Sequence, residues 1–149
     1  MVHIREAKDG DEGQIKELYT LLSPKDDYPV LTGRIQALAE SERDYLLVAE
    51  VDGRIVGTLT VNVCPNGAFG DLNYGVMENF VVSSEKRGLG IGQSLYDYAY
   101  SMVKEKRCSK LMVLTLSDSK AAQALFQKNG FEADGSVGLK RYMTDELEG

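Results

Sequence analysis

The chain has 149 residues, 43% of them hydrophobic and 27% charged, with a formal net charge of −6. That length suits a single domain, 1–149, with a full core and no need of metals or disulfides for stability. No apolar stretch reaches the ~18 residues of a membrane-spanning helix, Met1-Val2-His3-Ile4-Arg5-Glu6 carries no signal-peptide pattern, and the acidic balance argues against broad nucleic-acid binding.

Val2 to Ala7 reads as a first strand. Asp11 is placed as a helix N-cap with Gln14 in capping-box position, and Ile15, Leu18, Tyr19 and Leu22 then recur at helical spacing. Ser23 to Pro29 breaks this helix, and a short second one runs near Thr32 to Glu40. Tyr45 to Val51 and Arg54 to Val63 are strands around an Asp52-Gly53 hairpin turn. After a loop from Pro65 to Gly70, Tyr74 to Val82 is the next strand. Ile91, Leu95, Tyr98, Ala99, Met102 and Val103 form the apolar stripe of a long helix. Leu111 to Leu116 is an unbroken apolar run, expected as a buried strand. Ala121 to Asn129 is a helix closed by Gly130, and Phe131 to Tyr142 is expected to add one or two strands as a hairpin around Asp134-Gly135. The order β-α-α-β-β-β-α-β-α-β-β predicts an α/β domain with helices on both faces of a mixed sheet.

Between the fourth strand and the long helix lies Glu85-Lys86-Arg87-Gly88-Leu89-Gly90-Ile91-Gly92. Glycines let a backbone approach a ligand closely, and a helix N-terminus presents free N–H groups and partial positive charge to an anion. The spacing does not fit a dinucleotide fingerprint, because Gln93 stands where the third glycine belongs, and no Gly-Lys-Ser/Thr tripeptide supports a nucleoside-triphosphate loop. A pyrophosphate cradle is the reading that remains beside a bare tight turn.

Arg87-Gly88-Leu89-Gly90-Ile91-Gly92 resembles the Arg/Gln-x-x-Gly-x-Gly/Ala signature of the GNAT acetyltransferase superfamily. Ser119, Ala122, Phe126, Gly130 and Phe131 fall on a second family pattern, Asn-x-x-Ala-x-x-x-Tyr-x-x-x-Gly-Phe. The resemblance spans essentially the whole chain. It implies a mostly antiparallel sheet of six to seven strands flanked by about four helices, and acetyl-CoA as co-substrate without a metal. It implies that backbone N–H groups from Arg87, Gly88, Leu89, Gly90, Ile91 and Gly92 hold the CoA pyrophosphate. Main-chain groups of Phe80 and Val82 are implied to bind the pantetheine arm as an added pseudo-strand, with the acetyl thioester in a gap where the fourth and fifth strands splay apart. An N–H near Val81 is implied to polarise the thioester carbonyl. Ser119 replaces the family's asparagine toward the CoA arm. Phe126 replaces its tyrosine, the residue often assigned to protonate the departing thiolate. Tyr142 stands as a substitute donor or as an ordinary strand aromatic.

Glu78 is the candidate base. A carboxylate in an apolar strand is costly unless paired or functional, Met77 to Val82 is similar to the glutamate-bearing strand of small-molecule acetyltransferases, and Arg107-Cys108-Ser109-Lys110 ahead of the fifth strand resembles the same group of enzymes. Strict alternation places Glu78, Phe80 and Val82 on one face and Met77, Asn79 and Val81 on the other. Glu78 either takes the amine's proton or orients the acceptor, and Asn79 also competes for the acceptor. Asp26, Asp27, Tyr28 and Arg34 are either acceptor-selecting or a solvated loop. His3, the single histidine, supports no metal site or triad, and Ser83 and Ser84 have no histidine nearby in sequence to activate them. Cys64 and Cys108 read as free thiols in a reducing cytoplasm, with a bridge left open by sequence alone. The function expected is transfer of acetyl from CoA to a primary amine of a small molecule. The alternatives are a protein or peptide acetyltransferase and a non-catalytic acyl-CoA-binding module. A homodimer is compatible with the family, and no nucleic-acid or membrane partner is expected.

Overall fold

The computed structural model describes residues 1–148. The strands are β1 (Val2–Glu6), β2 (Asp44–Val51), β3 (Arg54–Pro65), β4 (Asn73–Val82) and β5 (Cys108–Val113). The helices are α1 (Glu12–Leu22), α2 (Thr32–Glu40), α3 (Ile91–Glu105), α4 (Lys120–Lys128) and α5 (Thr144–Glu148), with a 3₁₀ turn at Ser84–Lys86. The strands form one mixed sheet in chain order, antiparallel from β1 through β4 and parallel between β4 and β5. The β2–β3 turn has Asp52 and Gly53 both at positive φ, as an Asp-Gly hairpin requires.

Two cores lie on the two faces of the sheet. Alternating residues of β2 and β3 divide between them: Leu47, Leu59 and Val61 face α3, while Leu46, Val48 and Ile55 face Ile15, Leu18 and Ile35 from α1 and α2. Gly57 on β3 has the α3 side chain Leu95 only 3.1 Å from where a Cβ would stand, so the helix rides close to the sheet.

Four expectations are corrected. Asp11 does cap α1 in sequence, but its carboxylate takes the Arg5 guanidinium at 2.7 Å and the Lys8 N–H at 2.8 Å, leaving no side-chain cap bond to the helix. Gln14, freed of a capping role, accepts the Ile55 N–H at 2.8 Å. On α3, Tyr96 is buried and Tyr98 exposed, because Tyr96 meets Phe126 and Phe131 edge-on in an aromatic cluster.

The apolar run beginning at Leu111 is only half-buried, since β5 is the outermost strand and Met112, Leu114 and Leu116 remain exposed. The fourth correction explains this exposure: residues 131–143 hold no strand, so the sheet has five strands rather than six or seven. Phe131 is anchored on Phe126, but beyond it Val137, Leu139 and Tyr142 face water. A hairpin that buries no apolar face has little to hold it together.

Candidate active site

β4 and β5 run side by side only from Asn73 and Cys108 to Met77 and Val113, with one further bond from the Leu114 N–H to the Met77 carbonyl at 3.1 Å. From Glu78 onward β4 continues without β5 beside it. The gap is a cavity of about 80 Å³. Its walls are Glu78, Asn79 and Phe80 from β4, Leu114 to Leu116 after β5, and Ser119 and Ala122 at the start of α4. Leu22 from α1 and Lys140 from the C-terminal segment close it.

The face that Glu78 occupies differs from strict alternation. Thr60 pairs with Glu78, yet Thr58 pairs with Val81, so β4 carries one more residue than β3 between these pairs. Asn79 sits in this bulge at φ 56. The extra residue shifts the phase of the strand. Phe80 and Val82 join Met77 in the core under α3, while Val81 joins the core under α1. Glu78 therefore lies on the α1 face, opposite to Phe80 and Val82. It is half-buried and makes no hydrogen bond or ion pair among the described residues. Its cross-strand neighbour Thr60 is reached by the Tyr19 side chain from α1, whose phenol is pushed up by burial and drawn partly back by that contact.

The glycine-rich turn leaves the end of β4. Ser83 donates its N–H to the Val56 carbonyl at 2.7 Å, and the Arg87 Nε folds back to the Val82 carbonyl at 3.3 Å. Gly88 and Gly90 have φ of +81° and +77°, a conformation costly for residues with a Cβ. Gly92 is needed for a different reason. A Cβ there would lie 2.9 Å from Cζ of Phe80, so its lack lets the ring pack on the first turn of α3. The N–H groups from Gly88 to Gln93 find no intrachain partner among the described residues, and the buried Ile91 side chain pins the turn to the core. A row of free N–H groups at a helix N-terminus is an anion site.

The structure thus brings Glu78, Asn79, Phe80 and Ser119 into one cleft and puts Val82 and the glycine-rich turn at the end of the same strand. Phe126 is elsewhere: its ring, 2% exposed, sits in the core and backs Phe80 at 5.4 Å between centroids. Tyr142 is exposed and does not line the cleft. Asp27 pairs with Lys16 at 3.0 Å and Asp26 accepts the Ser23 hydroxyl, and these two, with Tyr28 and Arg34, lie outside the cleft walls. Ser83 and Ser84 line a separate cavity of about 480 Å³ between α1 and the β2–β3 turn. Cys64 and Cys108 are free thiols. Among the described residues no helix is long and apolar enough to cross a membrane.

Sequence reasoning missed Lys140, Leu22 and Tyr19. The last two lie on the apolar stripe of α1 and read as plain core residues. Lys140 had no signal at all, since its place depends on how an irregular segment folds back.

Residues 15–131 match the Acetyltransferase (GNAT) family. A glucosamine 6-phosphate N-acetyltransferase from Trypanosoma brucei brucei is 27% identical over 129 residues, 83% of this chain and 86% of that protein. A Bacillus subtilis (strain 168) protein, a candidate [ribosomal protein bS18]-alanine N-acetyltransferase, is 28% identical over 111 residues, 74% of this chain and 68% of that one. Among solved structures, a candidate acetyltransferase from Agrobacterium tumefaciens str. C58 superposes with a TM-score of 0.82 at 26% identity, covering 94% of this chain and 99% of its own. With its strand gap, its free N–H row and a family match across most of its length, the chain belongs to the GNAT family of acetyl-CoA-dependent N-acetyltransferases.

Proposed function

We propose that the protein transfers the acetyl group of acetyl-CoA to a primary amine of a small molecule, by direct attack in a ternary complex. The observation that carries this reading is the placement of an unpaired carboxylate, Glu78, where β4 and β5 part, on the strand that ends in the anion-binding turn. The pyrophosphate lies on the N–H groups of Arg87, Gly88, Leu89, Gly90, Ile91 and Gly92. The pantetheine arm runs along the free edge of β4 at Phe80 and Val82, with Ser119 across from it and Phe126 supporting Phe80 from the core. A backbone N–H near Val81 polarises the thioester carbonyl, where a fixed donor stabilises the charge that develops.

The amine arrives as ammonium and loses a proton to Glu78, directly or through water. Its nitrogen attacks the carbonyl carbon, the C–N bond forms, the C–S bond breaks, and the nitrogen sheds its second proton to solvent as the amide forms. A thiol with a pKa near ~8.5 leaves tolerably as thiolate, and solvent supplies its proton. That chemistry fits a chain in which Phe126 has no proton to give. The narrow cleft supports a small acceptor. Similarity to the candidate ribosomal-protein alanine acetyltransferase favours a second reading, in which the acceptor is the N-terminal amine of a protein. We place the enzyme in the cytoplasm, where two free thiols stay reduced.

Thiol release from acetyl-CoA is the test, with amino sugars, amino-sugar phosphates, polyamines and an alanine-terminated peptide as acceptors. Turnover above background with a small amine supports the first reading, and turnover with the peptide alone supports the second. CoA binding without turnover on any amine overturns both.

A further inference from the structure

The cleft is lined by groups of both signs. Of the side chains around it, only Glu78 and Lys140 are ionisable, one from β4 and one from the C-terminal segment. The rest of the wall is apolar or, at Asn79, Thr115 and Ser119, neutral and polar. Glu78 and Lys140 share this small hollow, yet they form no ion pair with each other or with any other described residue. Arg141, next in the chain, differs: Glu146 holds it at 2.8 Å. Of these two adjacent cations, only Lys140 borders the cleft, and its charge is unclaimed.

An ion in a partly dry hollow gains more from an opposite charge than it would in open water. The cleft therefore has two berths, one for a cation at Glu78 and one for an anion at Lys140. The amine to be acetylated fills the first. The donor does not fill the second, because the glycine-rich turn that takes the CoA phosphates contributes no residue to the cleft wall. An anion at Lys140 is thus the acceptor's own. A chain of net charge −6 draws cationic amines without help and repels anions, so admitting an anionic group takes a local cation.

We propose that the acceptor is a primary amine that also carries an anionic group, a phosphate or a carboxylate, with its ammonium at Glu78 and its anion on Lys140. This inference rests on the acetyl-transfer reading and narrows it. Lys140 is then a specificity-determining residue. A neutral amine leaves it unpaired, and a polyamine brings a second cation against it.

Matched acceptors with and without the anion test this. Glucosamine 6-phosphate against glucosamine sets a phosphate far from the amine. Alanine against alaninamide sets a carboxylate close to it. In at least one pair, the anionic member is expected to have a kcat/KM about ten- to a hundredfold above its partner's, the range of one charge-assisted hydrogen bond. The difference should lie in KM. In Lys140→Ala the ratio should fall to near one, in Lys140→Glu it should fall below one, and Lys140→Arg should restore it. A ratio cancels any loss of stability or CoA affinity that a variant inflicts on both members alike. Titration of the same four amines into the CoA-saturated protein reads the preference without turnover. If no amine turns over, acetyl transfer is overturned, and the titration still decides whether the anion is recognised. A wild type that treats both members of each pair alike overturns this inference, and so does a preference that survives Lys140→Glu.

Discussion

The Leu114 N–H closes on the Met77 carbonyl at 3.1 Å, and the next residue of β4, Glu78, is the first that β5 no longer accompanies. One backbone bond thus decides where the sheet stops and the cleft starts. It puts a carboxylate at the fork, with one wall of Leu114 to Leu116 and another of Asn79 and Phe80.

Replacing Glu78 by Gln keeps the shape and removes the proposed base. The expected loss in kcat is about 10²–10⁴-fold, the range that positioned general bases supply. The rate of the variant should recover as pH rises and the amine deprotonates in solution. A variant with wild-type kcat across pH 6–9 would mean that Glu78 only orients the acceptor or does neither.

Arg87→Glu reverses a charge beside the free N–H row of α3. CoA affinity should fall at least tenfold, by about 1.4 kcal/mol, while the affinity for CoA lacking its nucleotide changes little. Isothermal titration with both ligands checks this. Equal affinity of wild type and variant for CoA would remove the pyrophosphate from this turn.

Phe126→Tyr introduces the hydroxyl that the resembled family pattern carries at this position. Its ring is buried among the rings of Phe80, Tyr96 and Phe131. The expected result is a loss of about 1–3 kcal/mol of stability for an unpaired buried hydroxyl, with no gain in kcat. Denaturant unfolding and thiol release measure the two. A rise in kcat would place the ring edge in the cleft after all.

Burial pushes the Asp11 carboxyl up, but the Arg5 guanidinium and the Lys8 N–H outweigh it and hold the group below the usual carboxylate range. A carboxyl with a lowered folded-state pKa stabilises the fold above its unfolded value of about 3.9, and the contribution fades as pH falls through the lower value. Asp11→Asn is expected to destabilise by about 1.5–3 kcal/mol at neutral pH, since Arg5 loses its two-pronged partner and keeps only Glu50 and the Glu6 carbonyl. The gap between variant and wild type should narrow below pH 4. Urea unfolding from pH 7 to 3 follows it, and a gap that stays constant with pH would show that charge is not its cause.

Much of the fold is legible in residue spacing. The Asp52-Gly53 turn, the stripe of α3 and the helix closed by Gly130 need only local rules. What escapes those rules is long-range. The bulge at Asn79 inserts one residue without a turn signal, so period-two reading puts Glu78 on the wrong face. Gln14 looks like a capping residue because the hairpin N–H it serves is 41 positions away. Val137 and Leu139 look like strand residues, yet both stay open to water and no strand forms there. The anion turn was legible because its glycines act locally, whereas the cleft wall at Lys140 depends on how the chain end returns.

In the proposed binding mode, the contact between Gly92 and Phe80 couples two ends of one donor. The ring that lines the cleft rests on the first turn of the helix proposed to receive the phosphates. The spacing between these two places is therefore set by a hydrogen atom where other residues carry a methyl group. Gly92→Ala would lengthen or tilt this gauge by a fraction of an ångström, and the enzyme would then misjudge the length of its donor before it ever met an acceptor.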